Sequence, residues 1–431
     1  MSVFITQNKT RPGVYMNFES MSENLTSVSE RGITLLPLEL DFLASNEPIY
    51  VDVYTNFLSE YGISLNDPCI LPVREALKNA ETVIIYRLNS GEKSTITGGE
   101  ITATAKHTGA HGNNISFSVT HSAEDTFDVL TYVNNTLLEQ FNVKNLDEIS
   151  SVVLDFSGAL CSVDKISLAG GSSANALYDD YANFFDSITA LDFNTFALPV
   201  TDNMVKALAQ KYTENMRNMQ GKKIQFVVSN YPNADFEGVI SVANGVILQD
   251  GTEISPEIAA CYVAGAVAGC SINQSLTYST YSGACDVTSK YSNTEICEKL
   301  ENGEFLFTTK RDKVVIEQDI NTFTSYSPTK SNIFSKNRVI RVIDNISTDV
   351  KTLFEDYYLG KVSNNAQGRS LFTAECINYM RTLENIDCIE NFDPSTDISV
   401  ESGENSDSIV VNLNIKPIDS IEKLYMTVTL S

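Results

Sequence analysis

Apolar and polar positions alternate with a period of two near both ends of the chain, and between them the period shifts several times. In Ile421–Ser431 (IEKLYMTVTLS), Leu424, Met426, Val428 and Leu430 alternate with Lys423, Tyr425, Thr427 and Thr429. That pattern, rich in β-branched and aromatic residues, predicts a β-strand. The preceding KPIDS contains Pro417 and interrupts regular structure. Such a strand has two homes: a sheet of its own domain, or a sheet edge on another chain. Near the start, Pro12-Gly13 marks a turn before a short extended piece, Val14, Tyr15, Met16, Asn17 and Phe18. Residues 1–20 therefore read as an arm.

The intervening text predicts three kinds of structure. Residues 31–90 run strand, helix, buried strand, the last at Thr82–Leu88, which suggests the start of a layered α/β domain. From about Gly91 to residue 173 the chain is rich in Thr, Ser, Asn and Gly. Its short alternating strands (ITATAKH, NNISFSVTHS, TFDVLTYVNN, SVVLDFSG) read as an all-β insertion closed by LAGGSS. Alternating α/β order resumes at Asn175. It includes a helix with Ser255 as N-cap, Pro256 in its first turn and a body, IAACYVAGAVAG, whose small residues allow a neighbouring backbone to approach closely. From Ser335 a long helix places Val339, Ile343, Ile346, Val350, Leu353 and Tyr357 on one face, with Gly360 as its stop. A second helix, an acidic segment and the strand DSIVVNLNIKP follow. The fold class is multidomain α+β and α/β: an α/β core, an all-β insertion, a C-terminal α+β domain and extended strand-like termini.

Composition narrows the function. At 431 residues the chain has room for two to four domains, and 42% hydrophobic with 20% charged residues is ordinary for a folded protein. The formal net charge of −25 argues against nucleic acid and against an anionic membrane surface as partners. The N-terminal text lacks a signal-peptide layout, and Ile258–Cys270 is too short to span a bilayer. Eight cysteines without a CxxC pair read as buried free thiols made in a reducing compartment.

The chain is poor in catalytic constellations. His107 and His111 are four apart, but glycines around them predict a loop and no third metal ligand is evident. Gly170-Gly171-Ser172-Ser173 precedes a helix without the lysine of a phosphate-binding loop, and there is no GxSxG elbow. No catalytic, cofactor-binding or metal residue is assigned, and no cofactor is expected. One feature of the charge pattern remains. Residues 330–369 hold seven basic residues against four acidic ones, whereas Glu384–Asp407 holds eight acidic residues and no Lys or Arg. A basic face of this kind suits an acidic partner.

Five blocks, in order, resemble contractile tail sheath proteins of myovirus-like phages and phage-tail-like particles, in particular the short sheaths of PBSX-like elements. They are TQNKTRPGVYMNF; KHTGAHGNNISFSV with LAGGSS; DFEGVISVANGVILQDGTEISPEIAACYVAGAVAGCSINQSLTYSTYSGACDV; VVIEQDINTFTSYSPTKSNIFSKNRVIRVIDNIS; and KPIDSIEKLYMTVTL. The resemblance implies a structural subunit that stacks as hexameric rings around an inner tube and contracts from a metastable extended state. It implies an arm at 1–20, an α/β core split between 21–91 and 174–334, and an outer β insertion at 92–173. It implies an inner, tube-facing domain at 335–420 and a linking strand at 421–431. The inter-subunit strands would be Val14–Phe18 and Leu424, Tyr425, Met426, Thr427, Val428, Thr429 and Leu430. Lys336, Arg338, Arg341 and Lys351 are the tube-facing candidates. The implied partners are neighbouring subunits in a homo-oligomer, the inner tube protein, and baseplate and tail-terminator proteins, in a virion tail or bacteriocin-like particle assembled in the bacterial host cytoplasm. Neither nucleic acid nor direct membrane insertion is implied. The competing expectation is an α/β enzyme, glycan- or ester-hydrolysing, with a β insertion.

Overall fold

The computed structural model describes residues 28–122 and 125–430, so the arm residues Val14–Phe18 lie outside the described part. Its centre is a seven-stranded sheet. In spatial order the strands are Glu304–Phe305, Val239–Val242, Gln225–Ser229, Thr195–Leu198, Ile33–Leu38, Thr82–Arg87 and Pro48–Val51. All neighbours are parallel except the last pair, where Pro48–Val51 runs antiparallel to Thr82–Arg87. Parallel strands covered on both faces need apolar side chains on both faces. Accordingly, Thr195–Leu198, Gln225–Ser229 and Val239–Val242 are buried at every position. Ile33–Leu38 lies beside Thr195–Leu198, with Thr34 opposite Thr195 and Leu35 opposite Phe196. Two segments separated by more than 100 residues thus build one sheet, and everything between Arg87 and Thr195 is hung from it.

One face of the sheet is covered by Leu71–Leu77 and Pro256–Gly269, the other by Tyr178–Ser187 and Asn203–Asn218. Pro256–Gly269 is apolar all round because it is buried all round, and Ser255 caps it by accepting from the Ile258 amide. The expected close approach occurs at two glycines. A Cβ on Gly265 would lie 2.3 Å from the Ala76 carbonyl oxygen, and one on Gly269 would lie 2.0 Å from that of Asn79. Helix propensity alone would favour Gly265→Ala by about 1 kcal/mol. The obstacle is backbone, though, which cannot rotate away. We therefore expect Gly265→Ala to destabilise by about 1–3 kcal/mol, read as a lowered denaturation midpoint. An unchanged or raised midpoint would show that the two helices can separate freely.

Between the two parts of the core sits a β-sandwich. Its sheets are Leu154–Gly158, Ile101–Ala105, Thr95–Gly98 and Val163–Ser167, Ile115–His121, Phe127–Val133, Thr136–Val143, closing over Ile101, Ile115, Phe117, Val129 and Leu154. Its two ends leave the core side by side, Gly91–Glu92 pairing antiparallel with Ser172–Ser173. The neck is fixed from within. Buried Arg87 donates to the carbonyls of Leu43 and Thr108, both at 2.8 Å, while Asn89 accepts from the Leu40 amide and donates to the Ala174 carbonyl, both at 2.9 Å.

The remaining layer contains the helices Asn337–Tyr357 and Ala366–Asn385 and the hairpin Ile398–Ser402 with Ile409–Leu413. Gly360, at φ 70°, follows the first helix. Two expectations need correction. The first half of Asn337–Tyr357 is not amphipathic in place: Arg338, Arg341, Asp344 and Asn345 are buried beside the apolar residues, because this turn of helix is wedged between the core and Ala366–Asn385. All eight cysteines are free, but Cys285 and Cys297 are exposed and Cys69 and Cys161 only partly covered.

Candidate functional site

The segment 421–430 forms no strand in this chain. The last backbone hydrogen bond before it runs from the Ile418 amide to the Cys388 carbonyl at 3.0 Å, and among the described residues none follows. Beyond that point the apolar side chains point into solvent: Leu424 is 84% exposed, Met426 75%, Val428 67% and Leu430 91%, and Tyr425 is equally bare. The expectation of a strand thus meets a segment with the right side chains and no partner strand among the described residues. Four apolar side chains at alternate positions thus leave a strip of apolar surface in water.

The root of this segment is held. The Glu422 carboxylate takes Thr277 Oγ1 at 2.9 Å and Gln318 Nε2 at 2.6 Å, and forms a close ion pair with Lys336. Burial pushes the Glu422 carboxyl up, but the donors from Lys336, Gln318 and Thr277 outweigh it and hold the group below its ordinary value. Lys336 immediately precedes the helix Asn337–Tyr357, where a bare cation would oppose the helix dipole; the facing carboxylate removes that conflict.

Behind the root lies a buried polar joint between the core and the C-terminal layer. Arg341 Nη2 donates to Asp319 Oδ2 at 2.8 Å and to the Gln274 carbonyl at 2.7 Å, with both side chains fully buried. Asp319 also accepts from Asn337 Nδ2 at 2.9 Å and from the Leu276 amide at 3.0 Å. A second pair crosses the same joint: Arg217 meets Asp344 in a bidentate contact, 2.8 Å on both arms. Arg31 Nη1 reaches Asn345 Oδ1 at 2.9 Å, and burial lowers its guanidinium to about 10.

These placements revise the basic face. Arg341 is buried with Asp319, Arg338 is 8% exposed with Nη2 on the Asp387 carbonyl at 3.2 Å, and Lys336 is taken by Glu422. None of the three stands out as an exposed cation: Lys336 and Arg341 are ion-paired inside the subunit, and Arg338 is buried against a carbonyl of its own layer. Lys351 alone of the four candidates is substantially exposed, on the rim of a cleft with Arg31, Lys222 and Glu355. Sequence reasoning missed Glu422, Asp319 and the Arg217–Asp344 pair. Their partners stand tens to more than a hundred residues away, so no local spacing announces them.

His111 is buried in the turn Ala110–Asn114 and its Nε2 donates to the Gly62 carbonyl at 3.0 Å. Among the described residues no group of three or more His, Cys, Asp or Glu side chains could hold a metal ion, and no helix is long and apolar enough to cross a membrane.

Four family models match the chain in succession. They are the tail sheath protein Gp18 domain III N-terminal region at 31–88, the phage tail sheath protein beta-sandwich domain at 89–175, the phage tail sheath protein central domain at 174–322, and the phage tail sheath C-terminal domain at 329–431. The chain is 32% identical to the phage-like element PBSX protein XkdK of Bacillus subtilis, over 98% of this chain and 97% of that protein. It is 42% identical to the solved sheath tail protein of Desulfitobacterium hafniense, with a TM-score of 0.86 over 96% of this chain and 99% of that one. The helical sheath of the anti-feeding prophage, solved in its contracted state, shares the fold at 12% identity, with a TM-score of 0.59 over 98% of this chain and all (100%) of the other.

Proposed function

The chain belongs to the phage tail sheath family, a structural rather than enzymatic family, and from that premise we propose how it assembles and moves. It is a tail sheath subunit of contractile tail-like systems. In the proposed assembly, subunits polymerise as stacked hexameric rings around an inner tube, bounded by baseplate and tail-terminator proteins, and are built in the cytoplasm of a bacterial host. The β-sandwich, within 92–173, faces outward, and residues 335–420 face the tube. The rings start in a metastable extended packing whose lifetime is set by a barrier. On a baseplate signal they pass by rigid-body motion to a packing with more buried contact, driving the tube through a target envelope. The action calls for no cofactor, nucleic acid or membrane insertion.

The observation that carries this reading is the bare segment 424–430, with its apolar residues exposed and its backbone unpaired among the described residues. The hairpin of the C-terminal layer supports this reading as the acceptor. The hairpin Ile398–Ser402 with Ile409–Leu413 is only two strands wide, its outer edges are open among the described residues, and Val410 and Val411 are exposed. A two-stranded sheet is marginal by itself. Strands from neighbouring subunits, Leu424–Leu430 of one and Val14–Phe18 of another, widen it and bury both surfaces. On the tube side the surviving candidate is Lys351, with Arg338, Arg341 and Lys336 serving inside the subunit.

The test is direct imaging. Purified chain, concentrated and viewed by negative-stain electron microscopy, is expected to form rings or hollow tubes with sixfold symmetry. Monodisperse monomers at every concentration and salt condition that keeps the chain folded would overturn the reading.

A further inference from the structure

The contacts of Glu422 have a geometric consequence for the segment that follows. The carboxylate is bound from three directions: by Thr277 in the loop after the core helix, by Gln318 beyond the hairpin Phe307–Lys310 with Lys313–Ile316, and by Lys336 at the start of the long helix. Thr277 is itself tied down, its hydroxyl accepting from the Asp319 amide at 3.0 Å. The ion pair is largely shielded from water, with the Lys336 and Glu422 side chains 19% and 11% exposed. One residue further on, none of the described residues holds the backbone. The boundary between held and unheld backbone therefore falls between Glu422 and Leu424.

Without these contacts the boundary would lie at Ile418, the last residue with a backbone hydrogen bond to the body. Residues 419–422 would then join the free tether and add about 13–14 Å of reach at 3.3–3.6 Å per residue. Extra slack of that size lowers the effective concentration of the segment at a neighbouring site and widens the range of directions it can take.

We propose that Glu422 is a positioning residue, a clamp that fixes the root of the linking segment to its own subunit and makes Lys423 the pivot about which that segment turns. Lys336, the partner of the clamp, stands at the N-terminus of Asn337–Tyr357 and one residue before Asn337, which bonds Asp319. The pivot is thus rigidly coupled to the joint that carries the C-terminal layer. What 424–430 grasps rests on the sheath reading above; the clamp itself is a property of the single chain and is tested there.

Lys423 supplies the assay, because trypsin cutting after it releases 424–431 and mass spectrometry reads that loss alone. A protease needs several residues of unheld backbone on both sides of the cut, so the clamp slows this cleavage in the free subunit. Lys336→Met, which leaves the residues around the cut unchanged, is expected to speed release at Lys423 by about tenfold, the equivalent of losing about 1.4 kcal/mol of docking. Lys336→Arg should return the rate most of the way to wild type, and Thr277→Val should raise it less than Lys336→Met. Cleavage at other sites, apart from the one at position 336 that the Met variant lacks, should stay at its wild-type rate. Release at Lys423 unchanged in Lys336→Met, or faster cutting at all sites together, would overturn the clamp. Neither result depends on whether the chain forms tubes, so failure here is distinguishable from failure of the sheath reading.

Discussion

Deleting Leu424–Ser431 should leave a folded, soluble subunit that no longer builds sheath. Residues 424–430 have no partner strand among the described residues, and the deletion starts beyond the Glu422 clamp, so the core, the sandwich and the C-terminal layer keep every contact described above. Changes to side chains this exposed alter stability by no more than about 0.5 kcal/mol. The thermal transition of the truncated chain should overlay that of the full chain. Assembly is a different matter. Burying Leu424, Met426, Val428 and Leu430 against a neighbour is worth about 1.5–3 kcal/mol each, before the entropy of ordering the segment is subtracted. Even half of that sum, lost at every link, moves assembly beyond reach of ordinary concentrations, since each 1.4 kcal/mol is about tenfold. Sedimentation and electron microscopy should find subunits where the full chain gives tubes. Normal tubes from the truncated chain would sink the idea of a shared sheet.

Asp319→Ala is expected to be the most damaging single substitution at the joint. It strands Arg341, fully buried, with its best partner gone. It also removes the acceptor for Asn337 Nδ2 and the Leu276 amide. Arg341 is already incompletely satisfied, with no partner for Nε or Nη1. Breaking a buried pair from one side costs about 3–5 kcal/mol, because the remaining charge stays out of water. Replacing both members with apolar residues avoids that penalty. Asp319→Leu combined with Arg341→Met should therefore recover much of the loss. Urea denaturation followed by tyrosine fluorescence reads both, and the C-terminal layer should loosen first in Asp319→Ala. A shift in Asp319→Ala below about 1 kcal/mol would mean that water reaches the joint and screens the pair.

The legibility of these features in the sequence follows their range. The buried strand Thr82–Arg87 was readable because it is a short apolar run of β-formers, and burial on both faces needs nothing more local than that. The helix Pro256–Gly269 was readable from Ser255-Pro256, and its small residues suggested a close backbone neighbour; that this neighbour is Ala76 and Asn79 came only with the fold. Arg338 and Arg341 were misplaced because a period of 3.6 identifies the apolar face and assigns every charge on the other side to water. Here the other side of the helix is covered too, and Asp319 and the Asp387 carbonyl supply the partners that make burial tolerable.

By itself, then, the sequence determined the order of the parts: an α/β core interrupted by a β insertion, two late helices, and an alternating segment at 421–431 with apolar side chains in every second place. These are properties of neighbours along the chain, set by backbone period and turn chemistry. Only the tertiary structure decided where the charges of 336–341 go, that Glu422 anchors the segment after it, and that 424–430 finds no partner strand among the described residues. Those outcomes depend on groups brought together from remote positions. An ion pair such as Lys336 with Glu422 exists only once the fold has placed two residues 86 apart in one desolvated contact.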